Sequence, residues 1–180
     1  ASGVHYEGEV EGSRAEGRGS MWFPDGTSYE GEFLDGQCHG EGRWVHKTGE
    51  VYVGSFRNGM AEGKGRLTGR GGEETFDGEF VQNLPHGWGR KTWGDGSSYE
   101  GEWRRGVQQG QGKWRKGGNE FEGRFEDGMP EGEGRMVYGT GEVYQGEWSK
   151  GIQHGRGVLF ERKERIYDGL WRFGKRTGKG

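Results

Sequence analysis

The sequence has one cysteine, three prolines and little aliphatic material: of its 180 residues only 27% are hydrophobic, and 13% of all residues are aromatic. A lone thiol, Cys38, excludes an intrachain disulfide framework and fits a reducing compartment. No apolar run approaches the ~20 residues of a spanning helix, and no secretory signal opens the chain. A transmembrane segment is therefore not expected, and any membrane contact would be peripheral. Charge of one sign is also missing. Lys and Arg total 26 against 29 Asp and Glu, with no block of either. A predominantly electrostatic nucleic-acid binder carries a basic face, so nucleic acid is not expected as a partner. The opening Ala1-Ser2-Gly3 reads as an excised start rather than a natural N-terminus.

Glycine is what the chain has in excess. Forty-three glycines would indicate disorder unless they keep a period. They do. An aromatic-x-Gly-x-large pattern begins at Tyr6, Tyr29, Tyr52, Phe76, Tyr99, Phe121, Tyr144 and Tyr167, in steps of 23, 23, 24, 23, 22, 23 and 23 residues. With the opening aromatic counted as position 0, glycine holds positions 2, 11 and 13 in all eight repeats. Position 7 is glycine in six repeats, Asn83 in the fourth and Ser13 in the first. Asn is the other residue that tolerates a left-handed backbone.

Each repeat predicts two short strands, because positions 0, 2 and 4 alternate with positions 1 and 3. One face would carry aromatic, Gly, aromatic, as in Tyr99, Gly101, Trp103; the other would carry Glu100 and Glu102. The second strand is expected over positions 12 to 17, with positions 13, 15 and 17 on the apolar face and local breaks at Lys91 and Lys116. Asp25-Gly26 and Asp95-Gly96 supply turns into the next repeat. A glycine between two aromatics leaves a slot into which a ring from a neighbouring strand fits, so a thin sheet could cohere without a second layer. Basic residues at position 14 (Arg43, Arg66, Arg90, Lys113, Arg135) are expected beside the position-3 glutamates. At ~4.8 Å per strand, eight repeats predict an elongated, twisted, single-layer antiparallel sheet of roughly 75 Å.

The run Tyr-Glu-Gly-Glu-Trp-x-x-Gly-x-x-x-Gly-x-Gly from Tyr99 to Gly112 resembles the MORN (membrane occupation and recognition nexus) repeat, and the resemblance extends from Tyr6 to Gly180. It implies an elongated antiparallel sheet of consecutive hairpins and a role in scaffolding: organising membrane junctions, tethering cytoskeletal or ciliary assemblies, or serving as an accessory segment of lipid kinases and methyltransferases. Binding of phosphoinositides, dimerisation, or capture of a partner peptide in the sheet's groove are further implications. Fold alone does not choose among them.

Chemistry would lie where one repeat departs from the others. His39, His86 and His154 share position 10, but their repeats should lie roughly 20–30 Å apart, too far for one zinc. Only a Cys38-His39 pair meeting its counterpart on a second molecule would bring metal ligands together. Pieces such as Gly63-Lys64-Gly65 belong to the repeat and precede no helix, so they are not a phosphate loop. The carboxylates recur in register, and no acid–base pair stands out. No cofactor and no catalysis are expected. The segments 69–74 and 161–165 interrupt the pattern and read as longer or charged turns, or as contact loops.

Three functional readings follow. The first is a cytoplasmic protein–protein scaffold, associated with a cytoskeletal or ciliary structure or the inner face of a membrane. In it Phe33, Phe56, Phe80, Trp103, Phe125 and Trp148 either line a groove for a partner or only fill the sheet. The second is a peripheral phosphoinositide binder using Arg104, Arg105, Lys113, Arg115 and Lys116. The third is a regulatory segment of a larger enzyme. Because the chain stops at Gly180, position 13 of the last repeat, the array is expected to continue, or to pack on a second copy as a homodimer.

Overall fold

The computed structural model describes residues 3–178; Ala1, Ser2 and the last position-13 glycine, Gly180, lie outside the described residues. Every regular element among the described residues is a strand. The chain divides into two compact halves between Gly94 and Asp95. The first holds β1 (His5–Glu11), β2 (Arg14–Trp22), β3 (Ser28–Leu34), β4 (Gln37–Val45), β5 (Val51–Arg57), β6 (Met60–Thr68), β7 (Thr75–Val81) and β8 (Leu84–Thr92). The second holds β9 (Ser98–Arg104), β10 (Val107–Lys116), β11 (Asn119–Glu126), β12 (Met129–Val137), β13 (Val143–Ser149), β14 (Ile152–Glu161), β15 (Glu164–Arg172) and β16 (Lys175–Thr177). Within each half every strand pairs antiparallel with the next, giving an open single-layer sheet without crossovers.

The hairpin inside each repeat is tighter than the sequence predicts. The second strand starts at position 8, not 12, and ends near position 16. A two-residue loop at positions 6 and 7 joins the strands. From the second repeat on, both loop residues take positive φ, as in Asp35 (51°) and Gly36 (78°), or Gln82 (50°) and Asn83 (67°). That geometry matches the right-handed twist of the strands, and it explains Asn83 where other repeats have glycine. The loop N–H at position 7 then donates to the position-9 carbonyl of the preceding repeat: Gly36 to Ala15 at 2.9 Å, Gly59 to Cys38 at 2.9 Å, Gly128 to Gln108 at 3.0 Å.

Position 11 requires glycine for a different reason. In β9 and β10 the register runs Tyr99↔Trp114, Glu100↔Lys113, Gly101↔Gly112, then slips to Trp103↔Gln108. Three residues of β10 thus face one residue of β9, a bulge that turns on Gly110 at φ 63°.

This bulge corrects the expected charge pairing. Position 14 lies opposite position 1 of its own repeat and of the next, as Lys113 lies opposite Glu100 and Glu122. The position-3 glutamate sits inside the bulge and accepts backbone N–H groups that the slipped ladder leaves unpaired. Glu102 accepts from Gln111 at 2.8 Å, Glu147 from Arg156 at 2.8 Å, and Glu9 from Arg18 at 3.1 Å. Simple pairing of positions 3 and 14 fails because the two-residue turn sets position 4 opposite position 9, and even with the extra residues of the bulge position 14 reaches only position 1.

The core is a ladder of rings along one face. Tyr29, Phe33, Tyr52, Phe56, Phe76 and Phe80 are buried in the first half; Tyr99, Trp103, Phe121, Phe125, Tyr144, Trp148, Tyr167 and Trp171 are buried in the second. Within each half, a position-0 ring meets the position-4 ring of its own repeat, Tyr6 excepted, and that of the following repeat of the same half, edge to face. Tyr29 lies 5.1 Å from Phe33 and 5.0 Å from Phe56; Tyr144 lies 5.2 Å from Trp148 and 5.0 Å from Trp171. Such pairs contribute about 0.5–1.5 kcal/mol each beyond burial.

The ring at position 0 lies across the glycines at positions 2 and 13, as the alternation predicts. A Cβ on Gly112 would stand 2.5 Å from Tyr99 Cε2, and one on Gly101 would stand 2.5 Å from the Gly112 Cα. The tyrosine hydroxyl then reaches a carbonyl freed by the bulge. Tyr29 donates to Glu32 O at 2.9 Å, and Tyr167 donates to Leu170 O at 2.8 Å. Val10 breaks the ladder in the first repeat, where an aliphatic side chain at position 4 is 61% exposed.

Candidate functional site: the ring-face groove

The six rings expected to form a groove are packed into the ladder. Phe33, Phe56, Phe80, Trp103, Phe125 and Trp148 are all buried, and Trp148 Nε1 donates to Gly134 O at 3.3 Å. A ligand meets only their remaining exposed edges and the side chains that rise beside them. In the first half, Tyr52, Phe56 and Phe80 floor a hollow of about 310 Å³. Trp44, His46, Glu50 and Leu67 stand on one bank, and Ala61 and Asn83 line it as well. In the second half a hollow of about 360 Å³ lies among Tyr138, Glu142, Gln153, Leu159, Trp171, Lys175 and Arg176.

Position explains the banks. Trp44 and Leu67 occupy position 15, and His46 occupies position 17; these second-strand places face the same side as the rings. Trp44 remains half-buried, 6.4 Å from Tyr29 and 5.5 Å from Phe23. Asn83 is fixed by accepting the Ala61 N–H at 2.8 Å. Glu50 accepts from Thr48 Oγ1 at 2.8 Å and lies 3.6 Å from His46. The ring-centred reading of the sequence passed over Trp44, Glu50 and the liganding capacity of Asn83. The available signal was the break at position 7.

Burial pushes the hydroxyl of Tyr52 up to about 12, with Glu41 adding to the effect, and pushes Tyr29, Tyr99 and Tyr144 up as well. All stay neutral donors at physiological pH.

The other face carries the charge. A polar hollow of about 590 Å³ lies over Gly8, Gly19, Gly31 and Gly42, among Glu7, Arg18, Glu30, Glu41 and Arg43. The basic residues singled out for a lipid headgroup are not brought together. Arg104 and Arg105 sit at the hairpin tip, where Arg104 lies opposite Val107. Lys113, Arg115 and Lys116 lie toward the other end of the strand, about 20 Å away at 3.4 Å per residue. Those three are also engaged: Lys113 with Glu120 at 2.8 Å, Arg115 with Glu120 at 2.7 Å, and Lys116 with Asp95 at 2.7 Å. The Lys116 and Ser97 hydrogen bonds hold the Asp95 carboxyl well below the usual range. Neighbours in sequence became a split set because the strand runs between them.

Cys38 is buried opposite Phe33, and desolvation pushes its thiol up to about 11. His39 beside it is half-buried. No cluster of three or more His, Cys, Asp or Glu placed to hold a metal occurs among the described residues. The 161–165 segment is a two-residue turn, Arg162-Lys163, with φ of 50° and 71°. The 69–74 segment is a longer loop between β6 and β7, closed by Gly69 N donating to Glu74 O at 2.8 Å.

These features define a repeat protein built from open β-hairpins, with a ladder of packed rings on one face and paired charges on the other. The MORN repeat profile matches residues 6–28, 29–51, 52–74, 76–98, 99–118, 121–143, 144–160 and 167–180, and the chain belongs to the MORN repeat family. A search of curated proteins found no match. Among solved structures the chain is similar to the SAS-4 (dCPAP) TCP domain of Drosophila melanogaster in complex with a Proline Rich Motif of Ana2 (dSTIL). Identity is 14% and the TM-score 0.48, over 83% of this chain and 81% of that one. It is also similar to the TCP10c domain of Drosophila melanogaster Sas-4, at 14% identity and TM-score 0.44, over 83% of this chain and 90% of that one. Neither likeness bears on the partner or the site.

Proposed function

We propose that this chain is a non-catalytic interaction scaffold whose ring-face groove holds a segment of a partner protein or of a second copy. The observation that carries this reading is the hollow over Tyr52, Phe56 and Phe80, apolar at its floor and bounded by polar groups at its rim. The floor is already ordered: its rings are locked edge to face, 4.9 Å apart between Tyr52 and Phe80, so a ligand need not freeze them. The setting that fits is a cytoskeletal, ciliary or membrane-junction assembly, with the sheet supplying repeated binding positions.

Selection of a random peptide library on the intact chain, followed by hydrogen exchange of the bound state, tests this. Ligands that protect residues around Trp44, Ala61 and Asn83 are the expected result. Ligands that protect only the charged face, or none at all, would overturn the groove. Light scattering over a hundredfold concentration range reports whether a second copy occupies it.

A further inference from the structure

We infer that the groove over Tyr52, Phe56 and Phe80 is shaped for a proline-rich segment in the polyproline II conformation with a basic residue alongside; this rests on the groove reading above. The first argument is period. Along the ladder the rings alternate at 5.1 Å (Tyr52 to Phe56) and 4.9 Å (Tyr52 to Phe80), and two strands advance the sheet by about 9.6 Å per repeat. A polyproline II helix has three residues per turn at 3.1 Å each, about 9.3 Å. Every third residue therefore returns to the same face within about 0.3 Å of the next repeat. A coiled-coil helix advances about 10.5 Å per heptad and drifts three times faster. An extended strand alternates faces, so its third residue points away.

The second argument is polar complementarity. A polyproline II segment has no internal hydrogen bonds, and its carbonyls need donors. The groove offers two. Trp44 and Asn83, which carry an indole N–H and an amino group, both line the hollow, and Asn83 is oriented by its Oδ1 accepting the Ala61 N–H at 2.8 Å. Asn83 is also the only position-7 asparagine in the array. The third argument is charge. Glu50 is a half-exposed carboxylate on the bank, suited to a Lys or Arg of the ligand.

The experiment is calorimetric titration of the chain with two synthetic peptides of about twelve residues and identical composition, including one Arg. One has proline at every third position, and the other has the same residues rearranged so that no two prolines lie three apart. The first should bind at least tenfold more tightly. Asn83→Gly restores the residue used at this turn by other repeats, so the fold should survive, and binding should weaken several-fold. Glu50→Gln should weaken binding and reduce its salt dependence. Equal affinity for the two peptides, or unchanged affinity in Asn83→Gly, would overturn the inference. Library-selected ligands that occupy the groove without a three-residue proline period would also overturn it while leaving the scaffold reading intact. Absence of any groove ligand removes both.

Discussion

On one face of each hairpin, rings at positions 0 and 4 lock edge to face across strands and lie on bare glycine backbone. On the other face, carboxylates and cations meet in largely exposed pairs, such as Arg66 with Asp77 at 2.7 Å. The two faces share the same strands but differ in what they tolerate. A ring has one site, bounded by fixed backbone on its lower side and by other rings on both flanks. A surface ion pair is free to exchange partners or turn to water. Stability therefore concentrates in a few positions of the ring face, and the sequence of the charge face is available for other demands.

The largest test of that contrast is truncation of a ladder ring. Phe125 is buried between Tyr99 at 4.8 Å and Phe121 at 5.2 Å. Phe125→Ala should cost about 3–5 kcal/mol in urea unfolding, because the rings on both sides lose a partner around the cavity. A cost below about 1 kcal/mol would mean that the ladder is not the core. Next comes the backbone under a ring. Gly112→Ala places a methyl 2.5 Å from Tyr99 Cε2 and Cζ, with no flexible chain end to give way. Overpacking of this kind should cost about 2–3 kcal/mol, read from the same unfolding curve.

Much of this ring face was legible in the sequence. Tyr99, Gly101 and Trp103 announce alternation, and the fixed period of Gly101 and Gly112 announces a ring over backbone. Gly110 was equally visible, but its spacing does not reveal that it turns a bulge rather than lying in a strand. From that ambiguity came the wrong partner for position 14 and the missed role of Glu102, which accepts the Gln111 N–H. The groove was half legible. Its floor and Trp44 at position 15 lie on the period, but Phe56 and Phe80 are mostly covered, and the place of Asn83 at the rim depends on the turn. The basic set from Arg104 to Lys116 is split along the strand, since sequence proximity across a hairpin turn does not imply proximity at the strand's far end.

A smaller effect distinguishes tyrosine repeats from phenylalanine repeats within the ring face. Tyr99 donates to Glu102 O at 3.1 Å, whereas Phe121 has no hydroxyl to offer the equivalent carbonyl of Arg124. Tyr99→Phe should cost about 1–1.5 kcal/mol, and Phe121→Tyr should recover about 0.5–1 kcal/mol. The same buried hydroxyls set an alkaline limit. Tyr52 ionises near 10 when unfolded and near 12 when folded. The unfolded state loses its proton first, so this contribution to stability is complete below pH 10 and is lost as pH rises toward about 12. Absorbance at 295 nm should show tyrosine ionisation coinciding with unfolding in that window. Normal tyrosine titration well before unfolding would place the rings outside the core.

The two-residue turn at Arg162-Lys163 sharpens the comparison from the edge. Both residues hold positive φ, 50° and 71°, where the equivalent connection after β10 uses Gly117-Gly118 at 54° and 82°. Lys163→Gly should therefore stabilise by about 0.5–1 kcal/mol in urea unfolding, since the native geometry disfavours a β-carbon. A loss of stability would mean that the lysine side chain makes a contact that outweighs its backbone strain.

The smallest effect belongs to the charge face itself. Arg66 donates from Nε and Nη2 to the two carboxylate oxygens of Asp77 at 2.7 and 2.8 Å, which raises the Arg66 pKa. Judged by geometry alone it is the best-formed ion pair in the first half. Yet both side chains are about half exposed or more, and water competes for every one of those bonds. Arg66→Ala should leave the urea midpoint unchanged within error at physiological salt, and Asp77→Asn should do the same. If either shifts the midpoint as far as Tyr99→Phe does, the charge face helps to hold the sheet, and the division of labour between the faces fails at its weaker side.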